Sequence, residues 1–463
     1  STPDFSANVS PVPNATPAGF TMLVSTTTYF RRKVTSLGFG TVCYSGSIRT
    51  VVYAGPIHVN IHAPTDGDGT SWATARNDLQ KAIVEMPALC PHLNEIWVAG
   101  GVYRPTIPPT NITNPSDNAF FINSNITLYG GFAGTETSLS QRVLGANPTI
   151  LTGDLGNGDT AYHVLILQNN PILDGFTIRN GRAKGSGNLY VASNELARNR
   201  GGGIYLVEGG PLLRNCLLTN NRASNAGGGA YSEILGSYNF QHCTISNNQA
   251  GAGGGGIHSF FGFYSVVQNC TIADNLGDEG GGIHSANLTL SNSKIRNNQS
   301  RLGGGVFTNV NNGTVILRNN IFEGNHATVS GGAYHGLKTG YSQHDVFQNL
   351  FLNNTANNVG GACYMTTVAE ATLVEGYFSL RQNTFLGNAA AGGGGAFKYE
   401  APERVQLFNN VFSQNRFGNA ANVAGADVYA IAQVHQLSAQ HAVSNNHFQV
   451  LPGTISAAQL HNK

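Results

Sequence analysis

From about residue 200 onward the chain repeats a short pattern of apolar and polar positions. An apolar residue stands three before an Asn at Leu218/Asn221, Ile245/Asn248, Ile272/Asn275, Ile295/Asn298, Phe322/Asn325, Phe351/Asn354, Phe385/Asn388 and Phe412/Asn415. Two residues before each apolar position lies a column of small polar groups: Cys216, Cys243, Cys270, Ser293, Asn320, Asn349, Asn383 and Asn410. Alternation at period two predicts a strand that sends both columns to one side, and the Asn marks the turn that follows. Between these units come glycine clusters, each followed by a small apolar residue and usually a ring: Gly203-Ile204-Tyr205, Gly229-Ala230-Tyr231, Gly256-Ile257-His258, Gly282-Ile283-His284, Gly305-Val306-Phe307, Gly332-Ala333-Tyr334 and Gly395-Ala396-Phe397. Gly361-Ala362-Cys363 keeps the pattern without the ring.

Short strands, Gly/Asn corners and a period of about 23 to 29 residues predict one object, an all-β right-handed parallel β-helix of roughly thirteen coils stacked about 4.8 Å apart. Identical residues then form ladders along the axis. Asn at a repeated corner tolerates left-handed backbone and can bond the same amide one coil away. Phe322, Phe351, Phe385 and Phe412 are expected to pile into a file. Weaker coils extend the pattern upstream, through Ile96 and Val98, Ile126 and Leu128, and Phe176 and Ile178. The solenoid is therefore placed at residues 93–450, with a tail at 451–463. A solenoid must cap its first coil, and residues 56–92 supply a cap. Trp72, Leu79, Ala82, Ile83 and Met86 lie on one face of a helix predicted over 72–86, with Ser71 as N-cap and Pro87 as stop. Residues 1–55 are expected to be an extended or β arm, either an extra β cap or a strand donated to a neighbouring molecule.

Composition narrows the class. Gly is 59 of 463 residues and charged residues are 11 %, against about 7 % and about 25 % in ordinary chains. That argues against a helical bundle. A net charge of +1 provides no basic field for nucleic acid or anionic lipid. No apolar run is long enough for a transmembrane helix. The chain opens at Ser1 without a leader-like segment, as a processed secreted chain would.

The candidate chemistry is sparse. Catalysis by a β-helix requires convergent carboxylates and cations. Acids of the repeat region fall at different phases, with Asp274, Asp278 and Glu279 the nearest to a cluster. No catalytic residue is assigned and no cofactor is expected. Asp66-Gly67-Asp68-Gly69 supplies two carboxylates but not the other ligands of a calcium loop, and reads as a glycine turn with calcium as the alternative. His258 and His284 occupy successive rungs, which raises zinc as an alternative to a plain ladder; no metal is assigned. Cys216, Cys243 and Cys270 stack as buried thiols, and Cys43 with Cys90 is a candidate staple between arm and cap. The most informative column is Tyr205, Tyr231, His258, His284, Phe307, Tyr334 and Phe397. With Ile204 and its equivalents pointing inward, these rings are expected outside as a stripe that binds a partner or stacks on itself.

Two resemblances rest on these residues. The alternation of Gly-Gly-Ala or Gly-Gly-Gly-Ile with Phe-x-x-Asn over about 200–415 resembles the repeat of chlamydial polymorphic membrane proteins, which are surface β-helix adhesins. A second block comprises DGTSWATA at Asp68–Ala75, NDLQKAI at Asn77–Ile83, EIWVAGGVY at Glu95–Tyr103, YGGFAGTE at Tyr129–Glu136 and ILTGD at Ile150–Asp154. It resembles the opening of large secreted β-helix surface proteins of the Bacteroidetes type. Both resemblances imply export, extracellular or cell-surface display and an adhesive or structural role, with no catalytic residue to carry over. The expected partner is a second copy of the chain in a fibre, or a host or cell-surface protein or glycan. The alternatives are a polysaccharide lyase or glycoside hydrolase of pectate-lyase-like fold, and a non-catalytic carbohydrate-binding β-helix.

Overall fold

The computed structural model describes residues 55–89, 94–110, 114–260, 264–367, 376–400 and 404–418, with short segments at 28–30, 33–35, 42–44, 48–50, 420–421, 428–431, 442–444 and 446–448. The tail, most of the arm and Cys90 lie outside the described residues. The chain winds into a parallel β-helix with three long sheets. Sheet 1 has 13 strands, from Ile57–Val59 to Ala442–Ser444; sheet 2 has 12, from Gly101–Tyr103 to His447–Phe448; sheet 3 has 11, from Phe120–Ile122 to Val428–Ile431. Each strand pairs in parallel with its counterpart one coil on, as Leu218 with Ile245 and Ile245 with Ile272.

Period-two alternation sends one residue inward and the next outward, and the inward residues form a single continuous core along the rod. The file of Phe322, Phe351, Phe385 and Phe412 has ring centroids 4.8, 4.7 and 4.9 Å apart with planes within 10° of parallel. Beside it runs a file of buried amides: Asn221, Asn248, Asn275, Asn298, Asn325, Asn354, Asn388 and Asn415. From Asn221 to Asn388 each Nδ2 donates to the Oδ1 of the next member, at 2.9 to 3.1 Å. The backbone N–H of each donates to the same oxygen, as Asn325 N does to Asn354 at 3.0 Å. At the far end Asn415 Nδ2 donates to Phe385 O at 3.0 Å. Each amide thus satisfies its neighbour and the backbone of the preceding coil, which is why a polar group is tolerated there.

These asparagines form the expected ladder but do not make the turn that the sequence reading gave them. Left-handed backbone falls one residue earlier in every coil. Asn220 stands before Asn221, Asn247 before Asn248, Asp274 before Asn275, Asn297 before Asn298, Asn353 before Asn354 and Gln414 before Asn415, all with φ between 52 and 57°. Ahead of Asn325 and Asn388 the position is Gly324 and Gly387, at 63 and 68°. The two tasks are divided because a residue that turns the chain outward cannot also aim its amide along the axis.

The N-terminal end also departs from expectation. Sheet 1 begins at Ile57–Val59, which pairs with Ile96–Val98, so the rod reaches further towards the N-terminus than residue 93. The capping helix is Leu79–Leu89, not 72–86, and includes Pro87. Asp78 Oδ1 accepts from Lys81 N at 3.0 Å as its N-cap. Leu79, Ala82 and Ile83 are buried in the core that includes the first rungs. Ser71 instead caps a separate 3-10 turn, Trp72–Thr74. Trp72 packs against Phe132 and His58, not on the helix, and its indole N–H donates to Glu136 O at 2.9 Å. The arm's described strands pair antiparallel, Thr28–Phe30 with Ile48–Thr50 and Lys33–Thr35 with Val42–Tyr44. Among the described residues no helix is long and apolar enough to cross a membrane.

Candidate functional site

The outer face of sheet 3 carries the aromatic column, but with a different membership. Tyr205, Tyr231, His258, His284 and Phe307 pair in sequence along the axis. Phe307 then pairs with His335, His335 with Tyr364 and Tyr364 with Lys398. Tyr334 and Phe397 do not belong to the stripe. They pair with Val306 and Cys363 and point into the core. In the later coils the third residue of the glycine cluster is Ala333, Ala362 or Ala396, in place of Gly305, so the inward position comes one residue later than the sequence motif suggests.

Nor is most of the column a free surface. Tyr205 is fully buried, Tyr231 is 1 % exposed and Phe307 2 %. A hairpin, Asn188–Val191 with Asn194–Ala197, lays Leu189, Val191 and Leu196 over Tyr205 and Tyr231. Further along, backbone is the cover: a Cβ on Gly253 would lie 2.1 Å from His258 Nδ1, and Gly254 N donates to that nitrogen at 3.3 Å. Glycine is required here by close approach. Burial pulls His284 down to about 4 and His258 well below the ordinary imidazole value, so both are neutral at pH 7. Their centroids are 4.4 Å apart, edge to face, and no group of three metal-ligating side chains forms among the described residues.

The column opens at Tyr364, which is half-buried, while His335 and Lys398 on either side of it stay buried. A groove of about 430 Å³ runs there along the outer face. Its floor is two neighbouring columns, Phe307, His335, Tyr364 and Lys398 beside Asn309, Leu337, Thr366 and Glu400. Its wall includes Leu302, Val329, Ser330, Asn358 and Val359, with Glu279 at one end. The rings stand at right angles to one another, Phe307 to His335 at 80° and His335 to Tyr364 at 78°. His335 Nδ1 is bonded to Ser330 Oγ at 3.0 Å, while its Nε2 is buried with no partner. Burial, reinforced by the Arg301 charge, holds this imidazole neutral with a pKa of about 3. Burial by itself would raise the Glu400 carboxyl. Lys398 Nζ at 2.6 Å and the Tyr364 hydroxyl at 2.5 Å outweigh it and lower the pKa. Burial raises Glu279, against the Arg301 guanidinium at 3.3 Å. His335, Tyr364 and Lys398 were missed in sequence because the column was counted from the wrong glycine, and Glu400, in the neighbouring column, followed from none of the motifs.

Other candidates are internally occupied. Asp68 Oδ1 accepts from Thr70 N at 3.0 Å and from the Thr70 and Thr74 hydroxyls at 2.8 Å, while Asp66 holds Lys81 Nζ at 2.5 Å. Cys216, Cys243, Cys270 and Cys363 are buried free thiols. Cys270 Sγ accepts from Cys243 N, the role that ladder oxygens play elsewhere. Asp278 and Glu279 are paired with Arg301.

Parallel coils, three sheets and self-bonding ladders define the class as a right-handed parallel β-helix. The family described as right handed beta helix region matches residues 112–255 and 182–344, together half of the chain, and the chain belongs to it. Among solved structures it is similar to the A-module of the mannuronan C-5 epimerase AlgE6 of Azotobacter vinelandii, at 15 % identity and TM-score 0.34, covering 84 % of this chain and 99 % of that one. No curated protein matches the sequence significantly.

Proposed function

We propose that this protein is a non-catalytic extracellular rod that presents the groove on sheet 3 to a glycan, an adhesin-type role. Export and surface display, expected from the resemblance, complete the reading. The observation that carries it is the composition of the groove. Its floor offers the half-buried Tyr364 ring, and amide and hydroxyl groups at Asn309, Thr366 and Asn358 surround it. This is recognition chemistry for a sugar. Its two carboxylates are not a catalytic pair. Glu279 belongs to the rung of Ile283 and Glu400 to that of Phe397, four parallel steps on. At about 4.8 Å a step they stand roughly 19 Å apart along the axis, beyond the roughly 5 to 10 Å that glycoside hydrolysis uses.

A glycan array tests this. The native chain is expected to be retained on one or more glycans, Tyr364→Ala to weaken retention about tenfold or more, and Tyr231→Ala to leave it within about twofold where the variant folds. Release of reducing ends from any retained polysaccharide overturns the non-catalytic reading.

A further inference from the structure

We infer that the Lys398–Glu400 pair sets the class of ligand: the groove takes neutral polysaccharides bearing hydroxyl or acetamido groups and rejects uronic-acid polymers, with Glu400 as the residue that decides. This deepens the glycan-binding reading and rests on it. Lys398 and Glu400 lie two apart on one strand, so both side chains face the groove. The ammonium sits 2.6 Å from one carboxylate oxygen, and the Tyr364 hydroxyl holds the other at 2.5 Å. Lys398 is only 7 % exposed, and its charge is matched before any ligand arrives. At the opposite end Glu279 adds a second carboxylate, and its neighbour Arg301 is shared with Asp278 at 3.0 Å.

A uronate entering this groove loses its hydration and finds each nearby cation already paired with a carboxylate, an uncompensated desolvation. A neutral sugar meets no such penalty. The groups left for it are the amides of Asn309 and Asn358 and the Thr366 hydroxyl, which line the groove. An amide both donates and accepts, which suits the hydroxyl and acetamido groups of a neutral sugar.

The test is affinity electrophoresis of the full chain through gels holding neutral polymers (xylan, β-glucan, soluble chitin derivatives) or uronate polymers (polygalacturonate, alginate). The native chain is expected to be retarded by at least one neutral polymer and by neither uronate. Glu400→Gln, which deprives Lys398 of its carboxylate, is expected to gain uronate affinity by about tenfold, a gain lost in about 0.5 M salt. Lys398→Gln is expected to gain nothing. Tyr364→Phe keeps the ring while loosening Glu400, and is expected to shift preference the same way by a smaller factor. It serves where Glu400→Gln does not fold. Native retention by uronates, or a Glu400→Gln chain with unchanged preference, overturns the selectivity and leaves the glycan groove standing. Retardation of the native chain by no polymer of either class overturns the groove reading itself.

Discussion

Between the rung of Val306 and the rung of Tyr334 the rod changes character in several columns at once. Before that point sheet 2 buries Ile245, Ile272 and Ile295, the inner corner carries Cys243, Cys270 and Ser293, and the residue ahead of sheet 3 is Gly256, Gly282 or Gly305. After it the same columns read Phe322, Phe351 and Phe385, then Asn320, Asn349 and Asn383, then Ala333, Ala362 and Ala396. A Cβ on Gly256 would lie 3.2 Å from Ile245 Cγ2, and on Gly282 and Gly305 3.0 Å from Ile272 and Ile295 Cγ2. The tightest contact is with the backbone of the next coil, Gly282, Gly305 and Ala333 O at 2.5, 2.6 and 2.7 Å, and the branched Ile methyl crowds the same Cβ from a second side; where flat stacked rings replace Ile, the position is Ala. Core volume is exchanged between columns within a coil, as close packing demands. The outer face changes with the core: its first half lies under a hairpin and glycine backbone, and its second is the groove.

Acid is expected to damage both halves most. His284 in the first half has a pKa of about 4, and His335 and the core residue His344 in the second have values of about 3, all through burial. In the unfolded chain they return to about 6.5. Below that the unfolded state binds protons that the folded state refuses, so stability is full above about pH 7 and falls progressively towards pH 4, by about 1.4 kcal/mol per pH unit for each such histidine. Denaturant midpoints at pH 7 and 4.5 measure it. Equal midpoints would falsify the buried neutral state.

The next effect separates the two stretches of outer column. Tyr205→Ala removes a ring sealed by the hairpin and is expected to cost about 3 to 5 kcal/mol. Tyr364→Ala, half exposed in the groove, is expected to cost about 1 to 2 kcal/mol and to show chiefly in glycan retention. Denaturant unfolding of both variants provides the comparison. Similar losses from the two would erase the distinction between covered and open column.

The fold was legible because identical residues at a near-constant interval have few structural explanations other than stacked coils. The amide ladder was legible for the same reason, and only its share in the turn was misplaced, by one residue. The outer column was legible only up to Phe307. Its register is set by one left-handed glycine in each cluster: Gly303, Gly331, Gly360 and Gly394 have φ between 62 and 67°. Counting four onward from these gives Phe307, His335, Tyr364 and Lys398, the floor of the groove. Counting from the last glycine works while the third residue is Gly and slips once it becomes Ala. Burial of the stripe was not legible, since the hairpin at 188–197 gives no sign in sequence of the face on which it will fold. Trp72 misled in the same way: its helical spacing with Leu79 and Ile83 was coincidence, and an aromatic cluster on the outside of sheet 1 claimed it.

The smallest expected effect tests the link between Ile and Gly, Phe and Ala. Phe322→Ile places a branched methyl near Ala333 in the relation that Ile295 holds to Gly305. It is expected to destabilise by about 2 to 3 kcal/mol, part from the lost ring contact with Phe351 and part from crowding. Ala333→Gly alone removes one buried methyl and frees the unfolded backbone, about 1 to 2 kcal/mol. If the two columns exchange volume, the second change relieves the crowding made by the first, and the double variant is more stable than the sum of the single losses predicts by about 0.5 to 1 kcal/mol. Strict additivity in urea unfolding would mean that the Ile methyl has no part in keeping Ala out of the earlier coils, and that each column changed on its own.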